Sequence, residues 1–445
     1  MLQISAAIVG LLLVCLAMMT RKNPGIALGL VWCLYATEQV LQAAFPFFLA
    51  HGSLINYSFF GMSCLAAFNV AMRTNFFAGI EIPREHLWFA ALFGLTVCSI
   101  FWAPNSGGSF NRLKNIAPYV VQFILIAPLC VLERDQLDKA IKVLLYFGFF
   151  VLIGLALCPI SNRSIVMDVG RLNRSSVSGN PLAVASFAGL VILAAVFKIY
   201  GMERKRGGLF LIHVAAAILG FLVLARSGSR GQVIASGISL LIWLPITARV
   251  AAKRSSMMAL GTVLVVALGM FYFVSNGKDV GRWNSEHLRN HAEGRLLLSN
   301  QLLDAWYDAG PIHWLIGLGN SAAWDIIGFY PHVVPLEIIA EEGALGIIFF
   351  IAFCYATVFG GLAILRQDGL DAGSRVNLGL VLALFTFQFA LCFKQGSMIG
   401  SQALFGFGLT AGWYTAFMRK ENETNKLRGI FPTTTQRSAS NAATR

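Results

Sequence analysis

The sequence predicts an all-α fold: a polytopic bundle of twelve to thirteen membrane-crossing helices. Three observations predict it. The 445-residue chain is 57% hydrophobic and only 12% charged, against the roughly 25% charged share of soluble domains, and its mean hydropathy is +0.69. Apolar runs of about 17 or more residues recur along it, each long enough to cross a hydrocarbon core of roughly 30 Å as a helix. No run alternates with period two, so the spans are helices that satisfy their own backbone groups, not barrel strands.

The spans follow from the apolar runs, and their direction from the lysines and arginines between them. Span 4–19 ends at Arg21-Lys22, and spans 26–50 and 54–72 lead out and back to Arg73 and Arg84. Spans 87–103 and 116–132 return to Arg134 and Lys139; spans 140–160 and 181–200 return to Arg204-Lys205-Arg206. Spans 209–225 and 233–250 return to Lys253-Arg254; span 257–275 leads out, and span 335–365, opened by Pro335, returns to Arg366 and Arg375. Spans 376–393 and 398–417 close the bundle at Arg419-Lys420. The basic loops are cytoplasmic, so residues 161–180, 226–231 and 276–335 lie outside. Residues 1–418 read as one transmembrane domain that includes the loop 276–335. Residues 419–445, polar and poor in apolar side chains, read as a disordered cytoplasmic tail. No basic residue precedes Arg21 and no cleavage-site pattern follows the first run, which therefore reads as a span and not a signal peptide.

The formal charge of +13 is largely this topology signal plus the tail, and argues against nucleic acid as a partner. All eight cysteines fall within or beside apolar spans, and no CxxC occurs, so they read as small buried hydrophobes.

Candidate chemistry concentrates on the outer side. The stretch 276–335 is partly helical by pattern and holds four of the seven histidines, with four Lys/Arg against six Asp/Glu. Outer arginines oppose the positive-inside bias, and binding an anionic group is the simplest reason for them. They are Arg163, Arg171 and Arg174, then Arg226 and Arg230, then Arg282, Arg289 and Arg295. Arg163, Arg282 and Arg289 are better explained by contacts with solvent or lipid headgroups.

Arg230 sits in Ser227-Gly228-Ser229-Arg230-Gly231-Gln232, between two spans. Small residues there let backbone approach a ligand, as in phosphate-binding turns; snorkelling is the competing reading. Arg295 falls inside the apolar arc formed by Leu298, Leu302, Leu303 and Trp306 of a helix over 284–309, with Gln301, Asp304 and Asp308 opposite. A charge on that face must meet a ligand or a partner, and a buried pair with Glu337, Glu341 or Glu342 is the alternative. His332, in Tyr330-Pro331-His332 before the span opened by Pro335, is placed to exchange a proton with a bound hydroxyl. His287 and His291 are spaced i,i+4 but lack a third ligand. No Asp-x-Asp pair, P-loop, dinucleotide fingerprint or nucleophile elbow occurs, so no metal or cofactor is expected.

Together these strings resemble the O-antigen ligase family, which also includes O-antigen and exopolysaccharide polymerases. The resemblance lies in Ser229-Arg230-Gly231, in Gly294-Arg295 with Trp306, in Trp314-Leu315-Ile316-Gly317-Leu318-Gly319, and in Pro331-His332 followed by Leu336-Glu337, Glu341, Gly343 and Gly346. Gly170-Arg171 with Asn180-Pro181 is similar to a weaker upstream signature. Val333 stands where family members typically have asparagine.

The resemblance implies a metal-independent glycosyltransferase of the bacterial inner membrane with a periplasmic active site. It implies an undecaprenyl-diphosphate-linked glycan as donor, and a lipid A-core or a second lipid-linked glycan as acceptor. His332, Arg230 and Arg295 are then the catalytic residues, and Arg230, Arg295, Arg171 and Glu337 the substrate-binding ones. A transporter is the rival from another class; its candidate ionisable residues, Glu38, His213 and Lys394, are few and scattered.

Overall fold

The computed structural model describes residue 15 and residues 17–74, 81–161, 181–201, 207–227, 229–248, 261, 285–367 and 370–430. Among the described residues every regular element is a helix, and ten helices are long and apolar enough to cross a membrane. The expected spans 4–19 and 257–275 lie, apart from a few residues, outside the described residues.

Helix α1 (Pro24–Ala44) lies along α5 (Arg134–Ser161). Gly25 and Gly29 make this approach close: a Cβ on either would fall within 2.5 Å of the backbone oxygens of Gln136 and Ala140. The expected span 26–50 is interrupted at Phe45, because Pro46 has no N–H to continue the ladder and opens a short separate turn, Pro46–Ala50. Helix α2 (Gly52–Thr74) follows, then α3 (Arg84–Cys98) with its 3-10 extension Ser99–Trp102.

The next span starts earlier than its apolar run indicates. Helix α4 begins at Ser106, where the Asn105 side chain accepts a hydrogen bond from Gly108 N at 2.8 Å. It runs to Val120 and continues through a π turn, Val121–Ile126, and a 3-10 turn, Ala127–Val131. Pro118 and Pro128 remove two donors from this stretch, which accounts for the irregular ladder.

Helices α6 (Pro181–Tyr200), α7 (Gly207–Arg226) and α8 (Arg230–Ala248) follow. The polar stretch contributes α9 (Ser285–Asp308) and two short helices, α10 (Pro311–Ile316) and α11 (Ala322–Ile326). Helix α12 (Val334–Leu365) and α13 (Ala372–Leu391) return to apolar sequence. Helix α14 (Gln402–Ile430) covers the last expected span but is not among the ten. Its interior is buried against α3, α12 and α13, and a helix enclosed by protein can carry Gln402, Thr410 and Thr415. It also runs to Ile430, so residues 419–430 are helical where a disordered tail was expected; residues 431–445 lie outside the described residues.

The main core is a large apolar cluster, with Phe89, Phe353, Phe385 and Phe405 at the junction of α3, α12, α13 and α14, and a small second cluster of Leu302, Ala323 and Ala340 lies under the polar stretch. Phe405 stands 5.4 Å from both Phe89 and Phe353 between ring centroids. Polar contacts divide the loops into two sets. Gly25 N donates to Gln136 Oε1, Lys198 to Asp138 and Asn377, and Asn422 to Gln367. All of these belong to segments expected to share the basic side. Residues 99–112, 182–186, 229–232, 317–337 and 392–401 join at the opposite end, described next.

Candidate functional site

The turn after α13 organises this end. Cys392 O accepts from Val334 N at 2.8 Å, and Met398 N donates to Glu337 Oε2 at 3.2 Å, so the turn is fixed to the start of α12 at two points. Its other side meets α6 and α8. Gln232 Nε2 donates to Gln395 Oε1 at 2.7 Å and to Leu182 O at 3.4 Å, and Gln395 Nε2 donates to Ser186 Oγ at 3.4 Å. Lys394 Nζ donates to Gln232 Oε1 at 3.4 Å. The Lys394 stem lies on Gly231, where an added Cβ would come 2.2 Å from Lys394 Cδ.

Arg230 is the first residue of α8 and is half-buried. The turn before it is built by serine: Ser227 Oγ donates to Leu224 O and accepts from Ser229 N. A cation at a helix N-terminus opposes the macrodipole, and an anion there is favoured both by the dipole and by the first, intrahelically unpaired amides. Lys394 and the α8 N-terminus thus place positive charge beside Gly231, the residue after Arg230.

His332 comes to the same junction because Val334, two residues on, is bonded to Cys392, two residues before Lys394. The segments that carry Arg230 and His332, 102 positions apart, are therefore each bonded to this one turn, through Gln232 and Val334. His332 has a φ of 59°, left-handed for a non-glycine residue, a conformation that persists where the surroundings hold it. Pro331 beside it is buried, and Tyr330 presents its ring edge-on at 5.7 Å.

Helix α9 confirms the expected face: Leu302 and Ser299 are buried, Leu298, Leu303 and Trp306 half-buried, and Gln301, Asp304 and Asp308 exposed. Arg295 stands in helical register with Ser299 and Leu302, four and seven residues on; its side chain lies outside the described residues. So do Arg171 altogether and the side chains of Arg289, His287 and His291.

The glycine-rich strings turn out to form a clamp. Helix α12 opens at Gly343, with φ 69° and ψ −162°. Leu318 N donates to Ala340 O at 2.8 Å, and Gly319 N to Glu341 O at 2.9 Å. Gly317 and Gly343 are in backbone contact: a Cβ on Gly343 would lie 2.5 Å from Gly317 N, and one on Gly317 would lie 2.1 Å from Glu341 O. Glu341, 3% exposed, accepts from Ser321 N at 2.8 Å and Ala323 N at 3.0 Å. Glu337 is likewise buried on Met398 N. Both carboxylates hold backbone amides. The two oxygens of buried Glu342 have no hydrogen-bond partner among the described residues. His313 closes α10 through Gly317 O.

Two cations at this end were missed as site residues. Arg112, on the polar start of α4, donates to Ser321 O at 3.3 Å and lies 4.9 Å over the Trp324 ring. Ser109 and Ser99 bond Asn320 from the same side. The signal was available, because Arg112 lies in an outer loop by the same alternation that selected Arg230. Lys394 was weighed only as a transport residue. The transport candidates do not come together: Glu38 accepts from Gln42 and Asn56, while His213 faces Tyr146.

A cavity of about 340 Å³ adjoins the junction, walled by Tyr35, Phe123 and Phe187, with Gln388, Gln395 and Gln402 as polar groups. Among the described residues no group of three His, Cys, Asp or Glu side chains could hold a metal ion. Compared with family models and with curated proteins, the chain matches none.

Proposed function

We propose that the protein is a membrane glycosyltransferase of cell-surface polysaccharide assembly. In this reading it transfers a glycan from undecaprenyl diphosphate to a lipid A-core acceptor at the periplasmic face of the inner membrane. The observation that carries the reading is that two segments, the start of α8 with Arg230 and the entry to α12 with His332, are both bonded to the turn 392–398 through Gln232 and Val334. Its setting supports it too: the polar stretch packs onto the same end of an apolar bundle.

The chemistry follows from the groups. Arg230 and Arg295 hold the donor diphosphate; guanidinium forks bond two oxygens at once. The acceptor hydroxyl oxygen forms a bond to the anomeric carbon as the bond to the diphosphate oxygen breaks. The leaving diphosphate keeps the electron pair, and fixed cations stabilise the charge that develops on it. The hydroxyl proton passes to the His332 imidazole. A single displacement of this kind inverts the anomeric centre. Arg171 joins the donor site in this reading. Glu337 supports it by positioning the Met398 turn, since its carboxylate already holds a backbone amide.

Glycolipid analysis of a deletion strain tests the proposal. Loss of glycan-capped lipopolysaccharide, with long lipid-linked polymer accumulating, supports the ligase. Single-repeat products instead identify a polymerase that joins lipid-linked units. Unchanged glycolipids contradict both.

A further inference from the structure

We propose that Trp324, Tyr330 and Phe329 form a sugar-stacking platform beside His332, on which a ring of the acceptor glycan lies when its hydroxyl gives up a proton. This rests on the reading above and adds Trp324 and Phe329, which neither the motif strings nor the outer arginines select.

The rings form an unbroken line of contacts that ends at the imidazole. Arg112 lies 4.9 Å over the Trp324 ring. Trp324 meets Tyr330 edge-on at 5.2 Å between centroids, and Tyr330 meets His332 edge-on at 5.7 Å. Phe329 stands 6.3 Å from His332. The line is mounted on one frame. Glu341 of α12 accepts from Ser321 N and Ala323 N at the start of α11, and Arg112 donates to Ser321 O, so Trp324 keeps a fixed relation to the helix that His332 precedes. Yet the rings are not packed away as a core would be. Trp324 is 36% and Phe329 38% exposed, and a Cβ on Gly328, beside Phe329, would meet nothing within 4 Å. Apolar rings clustered on the surface of a polar stretch mark an interaction site. A pyranose ring matches this one. Its C–H face suits the negative face of an aromatic ring, and its rim of hydroxyls suits Arg112 and the exposed Asp325 at the Trp324 end. An acyl chain would leave those two charges unanswered. Aromatic side chains also give up little conformational freedom when a ligand settles on them. A ring stacked here turns one rim hydroxyl towards the imidazole, the orientation that proton transfer needs.

The test uses the purified full-length protein, varying the lipid-linked donor and the lipid A-core acceptor separately, and measures direct binding of delipidated core oligosaccharide. Trp324→Ala is expected to raise the acceptor KM about tenfold with donor KM and unfolding temperature unchanged, and Phe329→Ala to raise it by a smaller factor. Oligosaccharide affinity should fall in step, and Trp324→Phe should restore most of both. An unchanged acceptor KM in both alanine variants overturns the platform while leaving the glycosyltransferase reading intact. A rise in donor KM alone puts the donor glycan on the rings and overturns the acceptor assignment. A loss seen with the lipid-borne acceptor but not with the oligosaccharide also overturns it, by showing that the rings anchor in the membrane interface. No transfer by wild type overturns the reading on which the proposal rests.

Discussion

The two ends of the bundle handle charge differently. At the end marked by basic loops, acid meets base: Asp138 pairs with Lys198 and with Lys142, at 2.5 and 2.7 Å. Arg375 is buried and donates to Leu365 O and Gln367 O. At the other end the acids hold backbone instead. Glu341 secures Ser321 and Ala323, and Glu337 secures Met398. Lys394 meets the neutral Gln232, while Arg112 meets a carbonyl and an indole ring. At one end the described ion pairs join Asp138 to two lysines, whereas at the other the buried carboxylates of Glu337 and Glu341 hold backbone amides.

The comparison can be broken most severely at the clamp. Gly317→Ala and Gly343→Ala each place a Cβ against backbone at a positive φ, which costs at least about 2 kcal/mol. Both variants should lower the unfolding temperature in detergent and accumulate poorly. Near-normal stability would show that the two strings do not depend on this contact.

Arg230→Ala is expected to leave the protein in the membrane and cut transfer by about 100-fold or more, the scale for losing a group that stabilises leaving-group charge. Arg295→Ala should match it, and lysine at either position should rescue poorly, because an ammonium is a point charge without the guanidinium fork. Full activity in the lysine variants would remove the bidentate site from the account.

At the end marked by basic loops, Asp138→Asn should cost only about 1 kcal/mol, since the pair is partly exposed. Transfer per folded molecule should not change. A specific loss of transfer there would show that the two ends are not separable.

Topology gives a smaller but independent signal. With Cys15 and Cys98, both exposed, replaced by serine, Asp325→Cys should react with an impermeant thiol reagent from outside. Arg366→Cys should not; both native side chains are exposed. The reverse pattern would place the site on the cytoplasmic side.

Much of the fold was legible because membrane helices announce themselves as apolar runs. The misses have physical causes. Hydropathy sees only the apolar part of α4, whereas its start is set by the Asn105 cap and by docking to Asn320. Of the site, Arg230 and His332 were legible from local strings and the face of α9 from helical period. Arg112 was legible as an outer-loop arginine although its partner, 209 positions away, was not, and Lys394 was not legible, because its contact spans 162 positions. The clamp was visible as strings of glycines, but the contact between Gly317 and Gly343 is a tertiary fact.

The most direct test separates donor binding from turnover in purified protein with an undecaprenyl-diphosphate-linked glycan. The account predicts that His332→Ala binds this donor with wild-type affinity and turns over at least about 100-fold more slowly, while Arg230→Ala loses affinity. Wild-type transfer should also fall on the acid side as the imidazole takes up a proton. If His332→Ala weakens donor binding as much as Arg230→Ala, with no separate loss of turnover, His332 is a diphosphate ligand and its assignment as the base is wrong.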